Sequence, residues 1–370
     1  MTRRVSYVMT KKLFAAGNQK PLIVLVLVVI LGIGAILFAS NVDPNDIQPK
    51  ADVNNLPVER EQAPELDASL GWLNTDGYSA EDLKGKVVMY DFWTYSCINC
   101  QRTFPYLRAL WDRYEDDGLV LIGIHSPEFD FEKVDKNIEK ATKKYGVTWP
   151  VVFDDNMVNW SNFENQYWPA KYIADKKGRI RYHHYGEGRY DETEDVIRKL
   201  LGIKESAARA NLPGEKTQDI TQPITPEIYI NPVRGQLNAP NGKSVVTQEQ
   251  EPSQDQVTLF GSVDVQEERS ILVEAGAKLT VNYSAAEVNI VAEPLSELRT
   301  GELEVTMDGK PVPESVRGKD LSVDASGNTF LTVSSSDLLH VIQSDDIQQH
   351  ILVLKARTSN IALYAFTFGG

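Results

Sequence analysis

The sequence predicts an α/β domain followed by an all-β sandwich of jelly-roll type, both behind one N-terminal transmembrane helix. Three observations carry this reading. An uncharged run, Leu22 to Ala39, is about long enough to span a bilayer. From about residue 65 to 203, strand patterns alternate with helical ones. From about 227 onward only short alternating strands remain, separated by turn residues.

Residues 1–20 hold Arg3, Arg4, Lys11, Lys12 and Lys20 and no acid, which reads as a basic cytoplasmic segment. Residues 21–40 are then an anchor, and everything after them is extracytoplasmic. A cleaved signal peptide is the competing reading. The apolar stretch is long for one, and no small-x-small cleavage site follows. No cysteine lies near, so a lipid-modified N-terminus is excluded. Residues 41–64, with Pro44, Pro49, Pro57, Pro64 and many acids, read as a tether. Residues 65–203 form the first domain, 204–226 a Pro/Gly/Thr/Gln-rich linker, and 227–370 the second domain. The chain carries a net charge of −14, and its basic N-terminus leaves the remainder more acidic still. Such a surface argues against nucleic-acid or anionic-lipid partners.

In the first domain, Val87–Trp93 reads as a buried strand. Cys100, Phe104, Leu107, Trp111 and Tyr114 follow at helical spacing as one apolar stripe, with Pro105 inside that helix. Leu119–Ile124 is apolar throughout, as a parallel strand covered on both faces should be. Val134, Ile138, Ala141 and Tyr145 mark a second helix. Short strands fall near Val151–Phe153, Lys171–Ala174 and Arg179–Tyr185, the last two joined by a turn at Lys176-Lys177-Gly178. Asp191 to Glu194 has the form of a helix start before Val196, Ile197, Leu200 and Leu201. In the second domain Leu303, Val305 and Met307 alternate up to Asp308-Gly309, a two-residue hairpin signal. Ile351–Lys355 and Ile361–Phe368 read as a final hairpin around Ser359-Asn360.

The only two cysteines, Cys97 and Cys100, lie three positions apart between the first strand and the first helix. A disulfide that local closes too small a loop to add much stability, so its value is chemical. Outside the membrane thiols oxidise readily. Zinc needs further strong ligands, and no second CxxC supplies them, so no metal or cofactor is expected beyond the redox-active disulfide. Cys97, at the helix N-terminus, is the expected nucleophile, because unpaired N–H groups and the helix dipole favour a thiolate there. Cys100, one turn further in, is the expected resolving thiol. Asp91 stands in an otherwise apolar strand and is the candidate proton shuttle, its pKa raised by burial. An exposed edge-strand Asp is the alternative.

Asp91 to Cys100 resembles the active-site strand and loop of the thioredoxin superfamily, and Pro105 matches that family's helix proline. The resemblance implies a thioredoxin-like fold. It also implies a cis-proline beside the cysteines, matched here by Pro169 in Trp168-Pro169-Ala170-Lys171-Tyr172, an ordinary trans loop proline being the alternative. The stretches 93–103, 125–129, 167–172 and 186–190, with Ala365–Gly369 at the end, resemble the extracytoplasmic part of DipZ-type (TlpA/ResA-like) proteins over about 65–370. In that family the second domain is similar to carbohydrate-binding modules, and a multi-helix CcdA/DsbD-type domain imports electrons. This chain has one membrane segment instead, so a separate CcdA/DsbD-like membrane donor is the implied partner, a different direction of transfer being the alternative.

The expected function is a membrane-anchored, single-pass, extracytoplasmic thiol–disulfide oxidoreductase acting on thiol or disulfide proteins through Cys97, Cys100, Asp91 and Pro169, as a reductant. Trp93, Tyr95 and Trp168 are candidates to frame an apolar substrate groove, with core packing as the alternative. His125 reads as a satisfied histidine at a strand end. His183 and His184 point to opposite faces of one strand and share no metal. Tyr229, Phe260 and Tyr283 read as core aromatics, with stacking on a glycan ligand as the alternative. A thiol peroxidase of the same fold, and a surface or glycan-binding protein with incidental thiols, are the competing functions.

Overall fold

The computed structural model describes residues 48–214, 222–235, 237, 239, 241–295 and 300–370. The expected anchor at 21–40 lies outside the described residues, as do residues 1–20 and 41–47. Among the described residues no helix is long and apolar enough to cross a membrane.

The first domain is built on a six-stranded mixed sheet. Its strands are β1 (Trp72–Leu73), β2 (Val87–Trp93), β3 (Leu119–His125), β4 (Val151–Phe153), β5 (Ala170–Ala174) and β6 (Ile180–Tyr185), in the order β1-β4-β3-β2-β5-β6. β2, β3 and β4 are parallel, while β5 and β6 return antiparallel. Helices α1 (Ile98–Tyr114), α2 (Asp135–Tyr145), α3 (Val158–Asn162) and α4 (Tyr190–Leu201) complete the domain. The short α3 carries no periodic signal and was not expected. β2 is central and wholly buried, because both of its faces are covered. Val87, Met89 and Trp93 meet α1 and α4 residues on one face, and Val88, Tyr90 and Phe92 build a second apolar cluster on the other.

The tether is not free where it is described. Residues 48–63 lie along the outer edge of β6. The Gln48 side chain donates to His183 O at 2.7 Å and accepts from Tyr185 N at 3.2 Å. Arg181 donates to Pro57 O at 2.7 Å and also to Leu56 O, and Arg60 bridges to Ile180. Ala63 N donates to Gly178 O at 2.7 Å. A sheet edge left bare would recruit other strands, and this segment covers it. The first part of the expected linker also packs back, with Arg198 reaching Lys204 O and Arg209 pairing with Glu194.

The second domain is all-β, with strands β7 (Ile228–Tyr229), β8 (Gly242–Val246), β9 (Gln256–Val265), β10 (Ser270–Leu272), β11 (Lys278–Pro294), β12 (Gly301–Met307), β13 (Lys310–Pro311), β14 (Leu321–Val323), β15 (Thr329–Val333), β16 (Asp337–Ala356) and β17 (Ile361–Gly369). They form one continuous curled sheet rather than the two separate sheets expected of a sandwich. The long β11 is the reason. One side of it pairs with β16 through two register shifts. The other side pairs with β9 over Lys278–Asn282 and with β17 over Glu287–Pro294. Since β10 joins β9 to β17, the strands β9, β10, β17 and β11 close a small barrel. The expected final hairpin is therefore absent: β16 and β17 flank β11 on opposite sides. The Asp308-Gly309 hairpin is present between β12 and β13.

The two domains share a core. Ile271, Val291, Leu338, Ala362, Tyr364 and Ala365 belong to the same apolar cluster as Trp93, Ile98, Cys100, Phe129 and Phe131. The Tyr364 ring centroid lies 4.9 Å from that of Phe129 and 4.8 Å from that of Phe131. Polar contacts rim this core: Arg102 to Glu287 at 2.5 Å, Lys144 to Asp337 at 2.6 Å, and Tyr229 to Glu128 at 2.7 Å.

Candidate redox site

The site begins where β2 ends. Cys97 is the N-cap of α1, with extended backbone, and its Sγ accepts the N–H of Cys100 at 3.3 Å. Sulfur in this position meets N–H groups that the helix leaves unpaired. Cys97 is half-buried and Cys100 fully buried, as the apolar stripe of α1 requires. Burial pushes the Cys100 thiol well above its ordinary pKa, and Cys97 and Asp91 push it further.

Asp91 is buried in the central strand, and neither carboxylate oxygen has a hydrogen-bond partner. Burial pushes its pKa up to about 7, and the ammonium of Lys171 pulls against that rise. The register explains the pairing. Gly123, Asp91, Lys171 and His184 stand opposite one another across β3, β2, β5 and β6, so their side chains share the face that α1 covers. Lys171 is fully buried, and its Nζ donates to Gly186 O at 3.4 Å. Burial draws its ammonium below the ordinary value, while Asp91 and Cys100 counter this. Burial and then Lys171 lower His184 to about 3, so its imidazole is neutral and meets Glu187 O through Nε2 at 3.1 Å. A Cβ on Gly123 would come within 2.8 Å of Trp93 Nε1, so the row closes against the indole. Sequence reasoning missed Lys171 and His184. The available signal was a charged residue amid the apolar Ala170–Ala174, the same signal that singled out Asp91.

A second missed residue holds the loop before Cys97. Glu132 is buried, and its Oε1 accepts from Ser96 N at 3.2 Å and Ser96 Oγ at 2.7 Å. Its Oε2 accepts from Glu128 N at 2.7 Å and Phe129 N at 3.0 Å. Burial raises its pKa, and hydrogen bonds from Thr94, Ser96 and Phe129 oppose the rise.

The Trp168–Pro169 bond is cis, and Pro169 O accepts from Gly186 N at 2.8 Å. Trp168 is half-buried, its ring tilted 36° to that of Trp160 with centroids 4.0 Å apart, and it donates to Ser126 O at 2.9 Å. Of the three aromatics considered for a groove, it alone keeps an open face. Trp93 and Tyr95 are buried, Trp93 edge-on to Phe104 and Tyr95 against Phe131. Trp93 is turned inward because it shares the Asp91 face of β2. His125 lies between these two rings and is half satisfied: Nε2 meets Thr94 Oγ1 at 3.5 Å, Nδ1 has no partner, and burial lowers its pKa to about 3. Among the described residues no cluster of three metal-ligating side chains occurs.

Residues 60–183 match the AhpC/TSA family, and residues 225–369 match the family described as "Thioredoxin like C-terminal domain". The chain is a thioredoxin-like protein. Protein DipZ of Mycobacterium tuberculosis is 37% identical over 269 residues, 69% of this chain and 38% of that protein. The chain thus spans well under half the length of that relative. Thiol-disulfide oxidoreductase YkuV of Bacillus subtilis is 27% identical over 146 residues, 40% of this chain and 98% of that protein. Human NHL repeat-containing protein 2 is 42% identical over 132 residues, 35% of this chain and 18% of its own length. With a CxxC pair capping the first helix of this fold, the chain is similar to thiol–disulfide oxidoreductases of the DipZ and ResA kind.

Proposed function

We propose that this protein reduces disulfide bonds of extracytoplasmic proteins while held to the membrane by residues 21–40. The observation that carries this is the asymmetry of the pair: a half-buried Cys97 Sγ at a helix N-terminus, and a buried Cys100 next to buried Asp91. The Cys97 thiolate attacks a substrate disulfide, forming a mixed disulfide and expelling one substrate thiolate. Asp91 takes the proton of Cys100, whose thiolate then attacks Cys97 Sγ. The second substrate thiol leaves and the Cys97–Cys100 disulfide remains. Pro169 and Trp168 dock the substrate chain. A dithiol donor, a separate CcdA/DsbD-like membrane protein, re-reduces the pair.

Cys100→Ser should leave Cys97 able to attack but unable to resolve. Mixed disulfides with extracytoplasmic proteins should then accumulate in membranes and disappear under reduction. Failure to capture any partner, with Cys97 alkylatable, contradicts the proposal. The AhpC/TSA match favours a second reading, thiol peroxidase, and peroxide consumption by the reduced protein separates the two. A glycan-binding role has less support: Tyr283 is buried, and Lys278 and Arg234 cover the rings of Phe260 and Tyr229.

A further inference from the structure

The face of the β domain that meets the redox domain is ordered in three rows across β16, β11 and β17. The first row, Leu338, Val291 and Ala365, is apolar and lies in the shared core with Ile98 and Phe131. The last row includes Glu287 and Gly369. Glu287 holds Arg102 of α1, which also donates to Asn99 at 3.2 Å and to Glu187 at 3.0 Å. A Cβ on Gly369 would come within 2.9 Å of the Arg102 guanidinium. The middle row is His340, Asn289 and Thr367. It lies about 7 Å from each flanking row along the strands, on the same face. It therefore faces the redox domain between the shared core and Arg102, the stretch occupied by the first turn of α1.

Two atoms of this middle row have no partner. Asn289 is 0% exposed and Thr367 is 9% exposed. Asn289 Nδ2 donates to Glu287 at 3.2 Å, but Asn289 Oδ1 and Thr367 Oγ1 are buried without a hydrogen bond. Leaving such groups unmade costs about 1–3 kcal/mol each, and native structures rarely tolerate it without a purpose. Nothing in the redox chemistry of Cys97 and Cys100 uses them. Asn289 Oδ1 needs a donor, and Thr367 Oγ1 offers a donor to an acceptor. A peptide group, with one N–H and one C=O, supplies both.

We propose that Asn289 and Thr367 hydrogen-bond the main chain of the substrate polypeptide beside its reacting cysteine, making the β domain one wall of the substrate site. This rests on the oxidoreductase reading and names the class of substrate: an extended peptide segment rather than a small disulfide. The substrate enters by displacing this seam from the end of α1, and the two orphaned atoms gain partners when it does.

The test uses the full chain, reduced, with two probes. One is the disulfide-linked dimer of a seven-residue peptide with a central cysteine. The other is hydroxyethyl disulfide, which has no amide. Thr367→Val removes the hydroxyl at constant shape, and Asn289→Ala removes the acceptor. Each should lower the ratio of peptide to hydroxyethyl disulfide rate constants roughly three- to tenfold, the range of one hydrogen bond. Thr367→Ser, which keeps the hydroxyl, should restore the ratio. A ratio unmoved by Thr367→Val and Asn289→Ala overturns the proposal and assigns the orphaned atoms to buried water or to the closed seam. A wild-type chain that reduces neither probe overturns the oxidoreductase reading itself, and this wall with it.

Discussion

In the proposed reaction Asp91 decides how the buried thiol is used. It titrates near 7 in the folded chain and near 4 when unfolded, so the folded state holds the extra proton between those values. Its contribution to stability is therefore complete below pH 4 and is lost as the pH rises through 7, by about 4 kcal/mol in all. Asp91→Asn should flatten that slope, as urea unfolding at pH 5 and pH 8 will show. The same substitution should slow resolution of the mixed disulfide roughly a hundredfold, the usual weight of a positioned base. Equal slowing of the initial attack would remove Asp91 from the mechanism. Lys171→Met takes away the cation that holds Asp91 down, so the pH midpoint of resolution should move above 7. A midpoint left where it was would mean that the two groups are uncoupled. Asp91 was legible in the sequence because a charge in an apolar strand has few innocent explanations. Lys171 gave the same signal, at the first position of the expected strand Lys171–Ala174. His184 was legible only as the inward residue of an alternating strand.

At the scale of elements, the loop from Thr94 to Ser96 is held by a carboxylate from a different segment. Glu132 is 36 positions from Ser96, and no local pattern announces such a contact. Removing it leaves Ser96 N, Glu128 N and Phe129 N without an acceptor. Glu132→Ala should destabilise the chain by about 2–4 kcal/mol, read from the urea midpoint, since several buried donors lose one partner together. A loss under about 0.5 kcal/mol would show that the loop is held by other contacts. The strands of the β domain illustrate the complementary difficulty. Their alternation was plain, but which strand neighbours which was not. β11 is long enough to take β16 on one side and both β9 and β17 on the other, so the apparent β16–β17 hairpin never forms. Register over such distances is set by packing after collapse, not by the turn residues at Ser359-Asn360.

Over the whole molecule, two domains that look separable in sequence act as one body. Residues 48–370 form a single compact unit. The composition change near residue 204 marks a change of architecture, not independence, because apolar residues that complete the first core come from beyond residue 270. Phe129 and Phe131 each bury a side chain against Tyr364, and such burial is worth about 1.5–3 kcal/mol per residue. A chain ending at residue 214 should therefore unfold several kcal/mol earlier in urea than the full chain. An unchanged midpoint would mean that the β domain is carried rather than required. The same joining ties α1, which Cys97 caps, to the β domain through Arg102 and Glu287.

The central claim is that this joined body is a reductant. It is tested most directly by the reduction potential of Cys97–Cys100 in the full chain, equilibrated in thiol buffers. The account predicts a value near the thioredoxin end, about −270 mV, and a value near about −120 mV, that of an oxidant which installs disulfides, would contradict it.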